Sequence, residues 1–95
     1  MKDGHYFDQL GREVWVQNGK FHRLDGPAII DRDGAEWWCQ NGPLHRDDGP
    51  ARTFPDGSKE YWLNGVRYIG IQNDVLWRIE IQKMKRQEKR KRYVN

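Results

Sequence analysis

Two histidines are the residues of this chain best suited to acid–base or metal chemistry. Each is followed directly by an arginine and then, two positions later, by an aspartate; the two sets are His22, Arg23 and Asp25, and His45, Arg46 and Asp48. An imidazole titrates near neutral pH, so either histidine could serve as a base or as a metal ligand. An active site is normally a single constellation, whereas here every member occurs twice. We therefore expect the six residues to form hydrogen bonds and ion pairs that serve the structure of a repeat.

Other chemical motifs are weaker or missing. A metal site that combines Cys39 with His22 and His45 lacks the support of a Cys-x-x-Cys or His-x(3–5)-His spacing. The sequence also contains no glycine-rich phosphate loop, no Gly-x-Ser-x-Gly elbow and no His-Glu-x-x-His motif. We expect no enzymatic activity, no metal and no cofactor.

The elements that must position the histidines are copies of a repeat of 23 residues. Residues 15–34 (WVQNGKFHRLDGPAIIDRDG) align without a gap with residues 38–57 (WCQNGPLHRDDGPARTFPDG), and 12 of 20 positions are identical. A partial third copy opens at Tyr61 and reaches Asn64-Gly65, but Tyr68 stands where the histidine is expected. Asp3-Gly4 is interpreted as the remnant of an earlier copy. Degenerate end copies are typical of capped repeat arrays.

The turns of the repeat predict an antiparallel meander. Asn-Gly between apolar-rich runs is a strong hairpin signal, because a type I′ turn needs positive φ at both central residues. Pro27 and Pro50 lack a backbone donor, so they belong at a strand start or on an edge. Eight strands are predicted, at residues 13–17, 20–23, 27–31, 35–40, 43–46, 50–54, 58–63 and 66–69.

The repeated pattern W-x-x-N-G-x-x-H-R-x-D-G-P-A-x(4)-D-G resembles a variant of the MORN repeat that is common in small bacteriophage and bacterial proteins. The resemblance covers roughly residues 3–69. It implies a mainly β fold, a single-layer antiparallel meander of hairpins, one face of which binds proteins or lipids. It also implies a phage origin.

Charge divides the chain into a repeat domain, residues 1–70, and a basic tail, residues 71–95. Residues 83–95 carry seven basic side chains and one acidic one, whereas the preceding 82 residues carry ten basic and thirteen acidic ones. The basic residues of the tail are Lys83, Lys85, Arg86, Lys89, Arg90, Lys91 and Arg92. They fit three interpretations: a solvated end, contact with a phosphate backbone, or contact with an acidic protein surface.

The start of the tail has two competing periodicities. Val75, Leu76 and Ile79 share one helical face beside Trp77, but the apolar residues of 75–81 also alternate as in a strand. The length of the segment and its cationic C-terminal half favour a basic α-helix. We expect one sheet face to receive this helix through Leu76, Trp77 and Ile79.

A column of aromatic residues is the candidate binding face. Trp15, Trp38 and Tyr61 occupy the same position in successive copies, and Trp62 lies beside the column. Tryptophan and tyrosine are frequent hot spots of protein interfaces. The sequence does not decide which sheet face is exposed.

Together these patterns predict a non-enzymatic protein-binding module; the resemblance adds a phage accessory protein that engages or inhibits a host protein factor. The alternative is a nucleic-acid-binding protein that uses the basic helix on phosphates. The single cysteine and the absence of an apolar stretch of membrane-spanning length favour a cytoplasmic protein without membrane insertion. The open sheet edges leave a homodimer as an option.

Overall fold

Eight short strands and one helix make up the chain in a computed structural model, which describes the backbone of residues 1–94 and the side chains of residues 1–87. The elements are β1 Gly4–Phe7, β2 Glu13–Gln17, β3 Lys20–Phe21, β4 Ile29–Ile30, β5 Glu36–Trp37, β6 Arg52–Thr53, β7 Lys59–Leu63, β8 Val66–Tyr68 and α1 Asp74–Val94. All neighbouring strands pair antiparallel. The predicted mainly β fold with a C-terminal helix is confirmed. None of the described residues forms a helix long and apolar enough to cross a membrane.

The order of strands departs from a simple zigzag. The sheet runs β1-β2-β4-β5-β6-β7-β8, and β3 pairs only with β2. One side of β2 is shared: Val16 pairs with Phe21 of β3, whereas Val14 pairs with Ile29 of β4. Each Asn-Gly hairpin therefore forms a short arm beside the long strand, and the chain then returns to the same strand.

Two strand predictions need correction. Residues 43–46 form no strand, because the arm of the second copy is reduced to a single bridge between Cys39 and Leu44. Strand β1 was not predicted; it has no counterpart in the two full copies, and it pairs with β2 from Gly4 opposite Val16 to Phe7 opposite Glu13.

The Asn-Gly turns have the geometry that the sequence predicts. The φ angles are 53° and 73° at Asn18 and Gly19, and 49° and 79° at Asn64 and Gly65. Positive φ at both central residues reverses the chain with the twist that the flanking strands require.

The two faces of the sheet are chemically different. Side chains alternate along a strand, so residues paired across strands share a face. Ile29 pairs with Trp37, Trp37 with Arg52, and Arg52 with Glu60, which places these residues together on what we call the core face. The opposite face carries Trp15, Trp38, Tyr61 and Tyr68, and we call it the helix face.

The segment after the sheet is a helix, so the strand interpretation of its periodicity is wrong. The side chain of Asn73 caps the helix by accepting a hydrogen bond from the Leu76 amide at 2.9 Å. Trp77 is fully buried, and Ile81 and Met84 continue the same helical face toward the sheet.

The predicted docking residues Leu76 and Ile79 do not face the sheet. They are 41% and 44% exposed, and Val75 is 59% exposed. The reason lies in the choice between two helical faces. Trp77 has the largest apolar surface in the segment, so burying its side is the more favourable solution.

Candidate protein-binding surface

The aromatic column on the helix face is covered by arginines of the repeat. The guanidinium carbon of Arg23 lies 4.0 Å from the centre of the Trp15 ring, and that of Arg46 lies 3.7 Å from the Trp38 ring. His5 stacks on Trp15, with ring centres 4.2 Å apart. Both indoles are half-buried as a result. The predicted binding residues Trp15 and Trp38 thus present arginine-capped rings rather than bare aromatic surface.

Each of these arginines is held in place by two further hydrogen bonds. Arg46 donates to the carboxylate of Asp48 at 2.9 Å and to the carbonyl of Pro50 at 3.2 Å. Arg23 makes the same contacts with Asp25 and Pro27. The Arg-x-Asp-Gly-Pro segment is therefore a device for fixing a guanidinium over an indole.

The glycine of this segment makes the close approach possible. A Cβ built at Gly26 would lie 2.5 Å from the guanidinium carbon of Arg23, and one at Gly49 would lie 2.8 Å from that of Arg46. Both distances are shorter than any real Cβ contact allows. The requirement at these two positions is space beside the arginine.

The histidines of the repeat link one copy to the next. Nδ1 of His22 accepts a hydrogen bond from the Asn41 amide at 3.0 Å, and Nδ1 of His45 does the same for Asn64. Asp3 replaces the imidazole at the first turn, where its carboxylate accepts from the Asn18 and Gly19 amides at 3.0 and 2.8 Å. Each Asn-Gly turn is thus clasped by an acceptor from the preceding segment.

The metal chemistry considered for the sequence finds no site in the part of the chain that is described. No group of three or more His, Cys, Asp or Glu side chains lies close enough there to hold an ion. Cys39 is buried, and burial raises the pKa of its thiol to about 11, which makes it a poor nucleophile at neutral pH.

The third aromatic of the column is covered by the helix. Tyr61 is only 3% exposed, and the ring of Trp77 lies 5.3 Å from its ring. Tyr61 donates a hydrogen bond to Asp74 at 2.8 Å, and the Trp77 indole donates to the Arg46 carbonyl at 3.0 Å. Burial, together with the neighbouring Asp74 carboxylate, raises the pKa of Tyr61 to about 12. Tyr61 is therefore a core residue and is removed from the candidate surface.

Trp62 lies on the core face, away from the other three predicted aromatics, and its surroundings are polar. Its indole donates to Glu60 at 3.0 Å, and the same carboxylate lies 3.7 Å from Arg52 and 3.6 Å from Arg67. The Arg52 guanidinium also stacks between the rings of Trp37, at 4.0 Å, and Phe54. The charged groups of this face are engaged with one another.

Apolar side chains without a partner among the described residues remain on the outward side of α1. With 3.6 residues per turn, one stripe of this side carries Val75, Leu76, Ile79, Lys83 and Arg86, which we call the outer helix strip. It lies roughly opposite the Trp77 face, and all five side chains are exposed. The first half of the strip is aliphatic and the second half is cationic.

The flank of the helix contributes further charge. Lys85 and Arg78 line a cleft of about 200 Å³ together with Asp47 and Asp48 of the second repeat. The helix thus sets cations beside the acidic loop of the sheet as well as in its outer strip. The predicted tail residues Lys89, Arg90, Lys91 and Arg92 lie outside the described side chains.

A second apolar surface lies at the opposite end of the molecule. A cleft of about 440 Å³ runs beside β1, and Phe7 and Leu10 in its wall are 72% and 66% exposed. Its charged members Asp8 and Arg12 are bonded to each other at 2.8 Å. The cleft therefore offers apolar contact without a directional charge.

The outer helix strip was not predicted as a surface. Its signal was present in the spacing of Val75 and Ile79, but the same segment contains the competing face of Trp77, Ile81 and Met84. Only the geometry of docking on the sheet decides which face remains free. Comparisons with models of protein families, with curated proteins and with solved structures found no match to this chain.

Proposed function

We propose that this chain is a non-enzymatic protein-binding module, in which the repeat sheet is a rigid scaffold and α1 is the contact element. One observation carries the proposal: fully buried Trp77 anchors the helix, while Val75, Leu76 and Ile79 remain between 41% and 59% exposed. A fixed helix with a free aliphatic stripe is a common form of recognition element, since it can lie in an apolar groove. The proposal moves the contact from the aromatic column to the helix.

The arrangement of the sheet supports this assignment. Arg23 and Arg46 cap two members of the aromatic column, and Trp77 caps the third. These contacts stiffen the scaffold and leave little aromatic surface for a partner. A rigid support lowers the entropy that a recognition helix loses on binding.

The resemblance to MORN-like repeats of small bacteriophage proteins supports a more specific role. On that basis we propose an accessory protein that acts in the host cytoplasm and engages or inhibits a host protein factor. The acidic sheet and the basic helix end give such a module a directional charge, which favours fast and selective association.

A nucleic-acid-binding function is the second candidate, and the exposed cations of the helix favour it. Lys83, Lys85 and Arg86 all lie on the solvent side. Basic side chains bind phosphates largely by releasing counterions, with little sequence preference. This function predicts a steep loss of affinity as salt is raised, and it leaves the aliphatic residues of the helix without a role.

A capture experiment from cell lysate separates the two functions. The full chain is compared, with and without nuclease, with a chain that ends at Gln87 and so retains Met84 in the helix–sheet core. A protein that remains bound after nuclease treatment, and is retained by the shortened chain, supports the binding module. Nucleic acid that is recovered by the full chain and lost on shortening would replace it by the second candidate.

A further inference from the structure

We infer that the outer helix strip docks into a groove of a partner protein that is apolar at one end and acidic at the other. The inference rests on the proposed function and names the chemistry of the partner. Val75 and Ile79 are four residues apart, and Lys83 follows after four more, so the three side chains lie almost in a line along the helix. Leu76 widens the aliphatic half, and Arg86 extends the cationic half.

A second copy of this chain does not fit the strip. In a parallel pairing of two helices, Lys83 and Arg86 of one copy would face the same cations of the other. In an antiparallel pairing, the cations of each copy would lie against Val75 and Ile79 of its partner. Both arrangements place charge against like charge or against aliphatic surface, and both are unfavourable.

Phosphate-rich surfaces match only half of the strip. A nucleic acid would neutralise Lys83 and Arg86 but would leave three aliphatic side chains in water, because it offers them no apolar surface of similar shape. On a lipid bilayer, an amphipathic helix carries its cations along the polar side, parallel to the apolar stripe. Here the cations follow the aliphatic residues in series, which favours a groove whose character changes along its length.

The anchoring of the helix gives this surface a defined orientation. Trp77, Ile81 and Met84 hold the inner face, and the Arg46 carbonyl fixes the indole of Trp77 at 3.0 Å. The strip is therefore presented as a preformed helix, and binding does not have to order it. We expect the aliphatic half to supply most of the affinity and the cationic half to set orientation and association rate.

Site-specific crosslinking in the full chain tests the inference. A photo-crosslinking amino acid replaces Ile79 in one variant and Arg32, an exposed residue of the β4–β5 turn, in the matched control. The crosslinked protein is identified, purified, and titrated against the unmodified chain and its variants. Phosphatidylserine vesicles and a single-stranded oligonucleotide are titrated in parallel as probes of the other anionic surfaces.

The expected result has three parts. The Ile79 position crosslinks to one protein, at a peptide with neighbouring Asp or Glu, and the Arg32 position does not. Ile79→Glu weakens binding of that purified protein by about tenfold or more, and so does the double change Lys83→Glu and Arg86→Glu. Leu24→Glu and Lys20→Glu, at exposed positions of the first repeat, change the affinity by less than about twofold.

Two results would overturn the inference in different ways. If a protein binds but crosslinks only through Arg32, or binds Ile79→Glu as tightly as the original chain, the strip is not the contact and the proposed function survives. If only vesicles or the oligonucleotide bind and no protein crosslinks at either position, both the inference and the proposed function are wrong. Unchanged denaturation curves of the variants show that lost binding is not lost folding.

Discussion

The two full repeats and the C-terminal unit cover the same column of aromatics by different means. In the repeats, Arg23 and Arg46 lie over Trp15 and Trp38 within 4.0 Å. In the third unit, Ile69 stands where the next arginine would be, 23 residues after Arg46, and it is 77% exposed. The helix instead lays the indole of Trp77 against the third aromatic. A polar cover that can be copied is thus replaced, at the end of the array, by an apolar cover that cannot.

The difference teaches where the stability of the molecule is concentrated. A guanidinium over an exposed or half-buried ring contributes about 0.5–1 kcal/mol, whereas a fully buried tryptophan contributes several times more. Similar specialisation occurs at the other end, where Asp3 replaces the repeat histidine as the clasp of the first turn. The ends of the array are therefore not degraded copies but caps with their own chemistry.

The largest effect is expected from Trp77→Ala. The change removes the centre of the helix–sheet core and should lower the free energy of unfolding by about 3–5 kcal/mol. Arg46→Ala, which uncovers the equivalent ring of the second repeat, should cost only about 1–2 kcal/mol. Urea denaturation followed by circular dichroism measures both. Equal losses for the two variants would show that the polar and apolar covers are equivalent after all.

A smaller effect is expected from Gly49→Ala, which sharpens the account of the polar cover. The new methyl group would meet the Arg46 guanidinium at 2.8 Å and displace it from the Trp38 ring. The expected cost is about 1–2 kcal/mol in the original chain. In an Arg46→Ala background the guanidinium is already gone, so the same change should cost much less. Additive losses in this double-mutant cycle would mean that the glycine serves another purpose.

The repeats were predictable from sequence because their structure is local. Asn18-Gly19 specifies its hairpin by backbone preference alone, and the 23-residue spacing carries that geometry to Asn41 and Asn64. The shortened arm at Cys39 and the pairing of β3 beside β4 depend on contacts between copies, so they leave no local signal. The same copies explain why the paired histidines could be assigned to structure before their partners were known.

The candidate surface was less predictable, because it depends on which of two helical faces docks. Trp77 and Ile79 are both apolar, and the periodicity of residues 75–81 accommodates either face. The outcome is set by the aromatic pocket that Tyr61 and Tyr68 form on the sheet, where Trp77 lies 5.3 Å from each ring. A long-range contact of this kind cannot be read from the helix alone.

The next prediction uses pH to test the apolar cover. The pKa of Tyr61 is about 12 in the fold, above its ordinary value of 10, because the hydroxyl is buried and bonded to Asp74. Stability from this group is therefore complete below about pH 10 and is lost as pH rises toward about 12. Tyr61→Phe should cost about 1 kcal/mol at neutral pH, and the gap to the original chain should narrow between those pH values. A gap that stays constant in denaturation experiments across this range would contradict the burial of an un-ionised Tyr61.

The smallest effect is expected from the clasps between copies, which His45→Ala tests. The imidazole accepts one hydrogen bond from the Asn64 amide, and this amide lies near solvent, so water can replace the lost acceptor. The cost to global stability should be only about 0.5 kcal/mol. Hydrogen exchange gives a sharper readout: the Asn64 amide should lose protection, while the Asn41 amide, held by His22, keeps its own. Asp3→Ala is the comparison at the end of the array, and it should expose two amides, those of Asn18 and Gly19. If His45→Ala released all three turns together, the clasps would act as one cooperative ladder rather than as separate joints.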